Sequence, residues 1–264
     1  MKTSRSVHVL TVCILAVAVC LPGAAGADSL RAVPFVFIGA AGDCGPAPGS
    51  HIVTSAWLGG MGLPDGDGDT ALNGTPDTAD DPHRGLLLSK NGPSPDCSSA
   101  GARITGVRGM AVDPTFTLGF DYRNGGHCGA GAPRFNVVAR PPTGPNTFHF
   151  VGGCANGVQT PAPQDPAEWT RARFGAAQQF PPIPPGSRIV SITLLYDEGT
   201  DTPSVQDPNG VGLAVVDNIF INGEYIRTGS GVADGTGGDE NRDDRGRGND
   251  RGDDRGHGRG GNDD

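Results

Sequence analysis

The sequence predicts an all-β protein, an antiparallel β-sandwich, and three observations carry that prediction. Glycine (44) and proline (23) make up about a quarter of the 264 residues, and both cost stability inside a helix. Short runs rich in valine, isoleucine, threonine and aromatic residues recur along the chain, while amphipathic helical spacing does not. Asn-Gly dipeptides, which suit tight hairpin turns, fall at Asn91-Gly92, Asn124-Gly125, Asn156-Gly157, Asn209-Gly210 and Asn222-Gly223.

Taken in order, residues 1–27 read as a secretory signal. Lys2 and Arg5 form a positive start, and the apolar run from Val7 to Leu21 is too short for a comfortable membrane span. Pro22-Gly23 break it, and Ala25-Gly26-Ala27 offers a cleavage site before Asp28. The expectation is a secreted, extracellular protein with no transmembrane segment after cleavage. One sandwich domain is expected over 28–233. Val33–Ile38 is apolar, and Pro34 confines it to an edge or a strand start. Further strands are expected at His51–Trp57, Gly85–Ser89, Ala102–Val107, Phe116–Tyr122, Arg134–Arg140 and Thr147–Val151. Asp165–Phe180 reads two ways. Asp165, Pro166 and Glu168 suit a helix start, but Trp169, Arg171 and Arg173 alternate with Thr170, Ala172 and Phe174, which favours a strand. Arg188–Tyr196 alternates in part, with Val190, Ile192, Leu194 and Tyr196 on one face. Val211–Ile221 is apolar almost throughout, as a central strand covered on both sides would be.

Residues 234–264 read as a disordered tail. They hold ten glycines, nine aspartates, six arginines and no apolar side chain, so nothing offsets the entropy of ordering them. Arg251-Gly252-Asp253 spells an adhesion tripeptide, but this composition produces it by chance. The net charge of −9 argues against a nucleic-acid partner or an anionic membrane.

Signal removal takes Cys13 and Cys20 and leaves Cys44, Cys97, Cys128 and Cys154. An even count in an exported chain suggests two disulfides. Three pairings are possible; Cys44–Cys97 with Cys128–Cys154 suits consecutive strands. Zinc needs closely spaced ligand pairs, and adjacent His127-Cys128 is poorly placed to chelate one ion.

The most suggestive chemistry lies in Pro64–Asn73. Asp65, Asp67 and Asp69 alternate with glycines, with Asn73 and Asp77 close by. Calcium takes six to eight oxygens and suits a flexible acidic loop, although Thr70 and Pro76 stand where an EF-hand needs Gly and an acid. The same stretch also reads as a solvated surface loop. A second acidic group comprises Asp197, Glu198, Asp201, Asp207 and Asp217. Asp217 and Asn218 interrupt an apolar strand; regular alternation sends them to opposite faces, and the inward one needs a partner. Trp57, Trp169, Tyr122 and Tyr225 are candidates to stack on sugar rings, and each also suits core packing. His51, His83, His127 and His149 are available as bases. Asp81-Pro82-His83-Arg84 and Asp121, Arg123 and His127 form short polar clusters, but no nucleophile elbow, metalloprotease helix motif or phosphate loop appears.

Ile189–Tyr196 followed by Gly212-Leu-Ala-Val-Val-Asp-Asn-Ile-Phe-Ile-Asn-Gly223 resembles the closing strands of jelly-roll carbohydrate-binding modules. That resemblance covers about 35 residues. It implies a jelly-roll-like sandwich and a structural calcium held in part by Asp217. Gly85–Pro93, Gly119–Cys128 and Pro133–Val137 resemble segments of uncharacterised secreted bacterial proteins, which supports export and a β-rich fold and implies no activity. The expected function is therefore an exported, non-catalytic β-sandwich that binds a glycan or cell-surface ligand and is steadied by calcium. The alternatives are a structural or matrix protein without a small ligand, and a secreted hydrolase.

Overall fold

The computed structural model describes residues 29–39, 52–65, 82–91, 98–198, 203–205 and 208–234. Its strands are β1 (Arg31–Phe37), β2 (Ile52–Leu58), β3 (Gly85–Asn91), β4 (Ser99–Thr105), β5 (Leu118–Arg123), β6 (Arg134–Arg140) and β7 (Thr147–Gly152). They continue with β8 (Val158–Pro161), β9 (Trp169–Phe174), β10 (Gln179–Phe180), β11 (Arg188–Tyr196), β12 (Leu213–Ile221), β13 (Glu224–Ile226) and β14 (Val232–Asp234). Two single 3-10 turns, Cys154–Asn156 and Ala176–Gln178, interrupt them. The strands form two packed antiparallel sheets. The six-stranded sheet runs β1-β4-β11-β6-β7-β10, and the eight-stranded sheet runs β14-β2-β3-β12-β5-β9-β8, with β13 paired to β12.

Every long run expected from the sequence becomes a strand, and the ambiguous segment resolves as expected. Trp169–Phe174 is β9, while Asp165 closes a turn before it, accepting from the amides of Glu168 and Trp169. The pieces that sequence reading passed over are β8, β10, β13 and β14, each of two to four residues and too short for a periodic pattern. Strand β14 carries the fold one residue past the expected boundary, pairing Asp234 with Thr54.

Alternation dictates the main core. Leu86, Leu88, Phe120, Phe174, Val216, Ile219 and Ile221 face Ala102, Ile104, Phe135, Val137, Ile192, Leu194 and Tyr196 across the sandwich. Phe120, Phe135 and Phe174 meet with ring centroids 5.4–6.2 Å apart, within the range for tilted and edge-on pairs. A smaller cluster on the outside of the eight-stranded sheet packs Leu63, Ala162, Trp169 and Val215 together, so β12 is covered on both sides, as its composition predicts.

Two β-bulges correct the sequence reading. In β11 the register shifts between Ile189 and Ser191, so Ile189 is buried and Val190 is displaced from the face shared by Ile192, Leu194 and Tyr196. In β12 the register shifts between Asp217 and Phe220, and Asn218 takes a left-handed backbone (φ 45°). Asp217 and Asn218 are therefore not divided between opposite faces, because an extra residue in one strand resets the alternation.

Candidate functional site

Three places gather the polar and aromatic side chains of the described residues. The first lies on the outer face of the eight-stranded sheet. Register sets Asp121 of β5 between Asp217 of β12 and Arg171 of β9. Like charges directly opposite repel, and the surroundings relieve the repulsion. Arg171 donates to both Asp121 oxygens (3.0 and 3.1 Å), and Arg173 adds a longer contact at 3.4 Å. The Asn218 amide donates to Asp121 (3.0 Å) and to Gln164. Asp217 is buried, and burial pushes its carboxyl well above the ordinary range. The amides of Asn218 and Leu63, which donate to it at 2.6 and 2.7 Å, pull the other way, while Asp65 and Asp121 raise it further. Gly62 makes this approach possible: a Cβ there would sit 2.5 Å from Asp217 Oδ2.

Calcium fits these residues poorly. The Asp217 carboxylate, which the carbohydrate-module resemblance assigns to the ion, is spent on two backbone amides, and Asp65 accepts from the Arg84 amide. Among the described residues no three His, Cys, Asp or Glu side chains converge as a metal would require. Asp67, Asp69 and Asn73 lie outside the described residues, as do His51, Asp81, Asp201, Asp207, Cys44 and Cys97. Asp65 and Asp217, far apart in sequence, are nonetheless close enough for one charge to shift the other.

The second place is one end of the sandwich. His127 stacks edge-on against Tyr196 with centroids 5.4 Å apart, and its Nε2 lies 3.6 Å from Glu198. The His127 hydrogen bond, aided by the Gly131 amide, holds the Glu198 carboxyl below its ordinary value against the opposing effect of burial. Arg134 donates to both oxygens of Asp197 at 2.7 Å, and buried Lys90 donates to the Asp197 carbonyl. Cys128 and Cys154 form a disulfide beside this corner. Asp121, Arg123 and His127 are not assembled into one cluster: Asp121 turns to the β9 arginines and His127 to Glu198. His149 is a core histidine, with its ring nitrogens 2.7 Å from Thr147 Oγ1 and 2.8 Å from the Pro181 carbonyl.

The third place, which the aromatic candidates missed, is the outer face of the six-stranded sheet. Trp57 and Trp169 are 3% and 2% exposed, and the Trp57 indole N–H donates to the Ala32 carbonyl. Neither presents a ring to a ligand. Tyr122 packs its ring on the main core and turns its hydroxyl toward Gln159 (3.4 Å). The exposed rings are phenylalanines: Phe148, Phe150 and Phe180 are 44–53% exposed. Register aligns Val33, Arg103, Thr193, Asn136, Phe150 and Phe180 in one row across all six strands. Beside it Arg103 lies over Phe35 at 4.9 Å and Arg134 over Phe150 at 5.2 Å. The strands of this sheet hold five arginines (31, 103, 134, 140 and 188) and no aspartate or glutamate. In a chain of net charge −9 this face is a basic, aromatic strip, with Asp197 at one end on Arg134. Only register reveals it, since the row draws one residue from each of six strands.

No family model, no curated protein and no solved structure matches this chain.

Proposed function

We propose that this protein is an exported, non-catalytic binding module that holds an extended anionic polysaccharide across the outer face of the six-stranded sheet. The single observation that carries this reading is the row from Val33 to Phe180. With strands about 4.8 Å apart, it makes a flat strip on the order of 24 Å long. Phenylalanine faces at its Phe150–Phe180 end suit the C–H faces of sugar rings, Thr193 and Asn136 offer hydroxyl and amide partners at its centre, and the arginines match carboxylate or sulfate groups. The acids favour a structural over a hydrolytic role. Asp121 and Asp217 are sealed from solvent and committed to arginines and amides, whereas a hydrolase needs carboxylates open to its substrate.

The test is isothermal titration with a polyuronate and with a neutral β-glucan. The expected result is selective binding of the polyuronate, weakened by salt and reduced about tenfold by Phe150→Ala or Arg103→Ala. Equal affinity for the two polymers, or full affinity in both variants, would remove the reading. Calcium enters it through Asp67, Asp69 and Asn73 rather than Asp65 and Asp217, which backbone amides engage. A thermal midpoint that rises with calcium and falls with chelator is the expected outcome.

A further inference from the structure

The opposite sheet carries a separate concavity. A pocket of 470 Å³ opens beside the β12–β13 turn, lined by Thr115, Thr117, Arg173, Phe220, Asn222 and Tyr225. Its volume falls in the range of small-molecule sites. Arg173 is built into its wall. Gly119, its register partner on β5, leaves room for it: a Cβ at Gly119 would meet the Arg173 chain at 2.6 Å. The side chain therefore passes close over Gly119, with its guanidinium carbon 4.8 Å from the Phe220 ring centroid and 5.6 Å from that of Tyr225.

Its donors are divided. Nη1 serves the carbonyls of Phe120 and Ala172 and the Asp121 carboxylate, and one Nη2 hydrogen goes to the Tyr225 hydroxyl at 3.2 Å. Among the described residues Nε has no hydrogen-bond partner, and it is not one of the buried unpaired atoms. Nε–H and the neighbouring Nη2–H form one edge of the fork, the geometry that receives a carboxylate. Cations gather around this edge, with Glu224, exposed between the lining residues Gly223 and Tyr225, as the nearest acid in sequence. Arg171, Arg173 and Arg227 all lie within 5.8 Å of the Tyr225 ring. Against them stand Asp121, already shared by two of these arginines, and Asp217, whose carboxyl burial favours as the neutral acid. Asp113 accepts from the amide and hydroxyl of the lining residue Thr115. Asn222 and Thr117 add short polar groups around the opening.

We propose that this pocket binds the carboxylate of a single sugar-acid ring, with Arg173 receiving the carboxylate and Thr117 and Asn222 the ring hydroxyls. The site shares no residue with the six-stranded face and does not depend on the polysaccharide reading. The test is NMR titration of the whole protein with D-glucuronate and, separately, D-glucose, following the Arg173 side-chain Nε–H signal. The expected result is a saturable downfield shift with glucuronate and none with glucose. Arg173→Lys should weaken glucuronate binding about tenfold or more, because an ammonium cannot offer the planar edge. Asn222→Gly keeps the left-handed turn (φ 47°) and should weaken binding without lowering the thermal midpoint; it guards against Arg173→Lys failing to fold. An unmoved Arg173 signal at high glucuronate, or equal shifts with the two sugars, would overturn the proposal. Loss of polyuronate binding in Phe150→Ala with the Arg173 shift intact would confirm that the two sites are separate.

Discussion

Asp217 shows how much one side chain decides. Its two oxygens accept from the amides of Leu63 and Asn218, and so tie residues 59–65 to the centre of the eight-stranded sheet. Replacing it with alanine leaves two buried donors without acceptors. The expected loss is on the order of 3 kcal/mol, at about 1–3 kcal/mol per orphaned group; urea unfolding measures it. The pH dependence follows from the same burial. A carboxyl whose folded value is raised contributes its full stability below its unfolded value near 3.9, and loses it as pH rises through the folded value. Wild-type stability should therefore fall with rising pH across that window at this site, and Asp217→Asn should flatten the slope. Urea midpoints at several pH values compare the two; parallel slopes would mean that Asp217 does not titrate there.

At the scale of elements, register and bulges decide which side chains meet. Strand β12 has one buried face in the main core and another under Leu63, Ala162 and Trp169, and its bulge turns Asn218 onto Asp121. Trp57 illustrates the coupling of elements across the sandwich. It sits on β2 of one sheet, and its indole N–H donates at 2.8 Å to Ala32 on β1 of the other. Trp57→Phe keeps most of the apolar contact and removes that bond. The expected cost is about 1–3 kcal/mol, because a buried carbonyl loses its donor and some volume is lost. Thermal and urea unfolding check it, and unchanged stability would mean water replaces the indole at Ala32.

For the molecule as a whole, the disulfide and the separation of charge between the sheets matter most. The Cys128–Cys154 bond joins residues 26 apart. A loop of that size restricts the unfolded chain enough to contribute about 3 kcal/mol. The Cys128→Ser, Cys154→Ser double variant should lose stability by that amount in guanidinium unfolding, and an equal loss on adding reductant to the wild type would tie the effect to the bond. The excess of acid is likewise unevenly spread. All six strands of one sheet lack carboxylates, so the molecule turns a basic face outward despite its net charge of −9.

The fold class is legible in the chain, because hydrophobic alternation and Gly/Pro punctuation are local signals. The sequence marked the long strands from Val33–Ile38 to Val211–Ile221 and favoured a strand in the ambiguous Asp165–Phe180 segment, but it left three cysteine pairings open, and the fold chose Cys128–Cys154. The reading of Trp57 and Trp169 as ligand rings did not hold, because residue type says what a side chain can do and not which way its strand turns it. Tertiary structure alone decided the rest. Bulges moved Val190 and Asn218 off the faces that strict alternation gives them. Strand order brought Val33, Arg103, Thr193, Asn136, Phe150 and Phe180 into one row from six separate segments. Gly119 opened the floor on which Arg173 lies. Each of these depends on pairings between residues distant in the chain, and no local pattern encodes them.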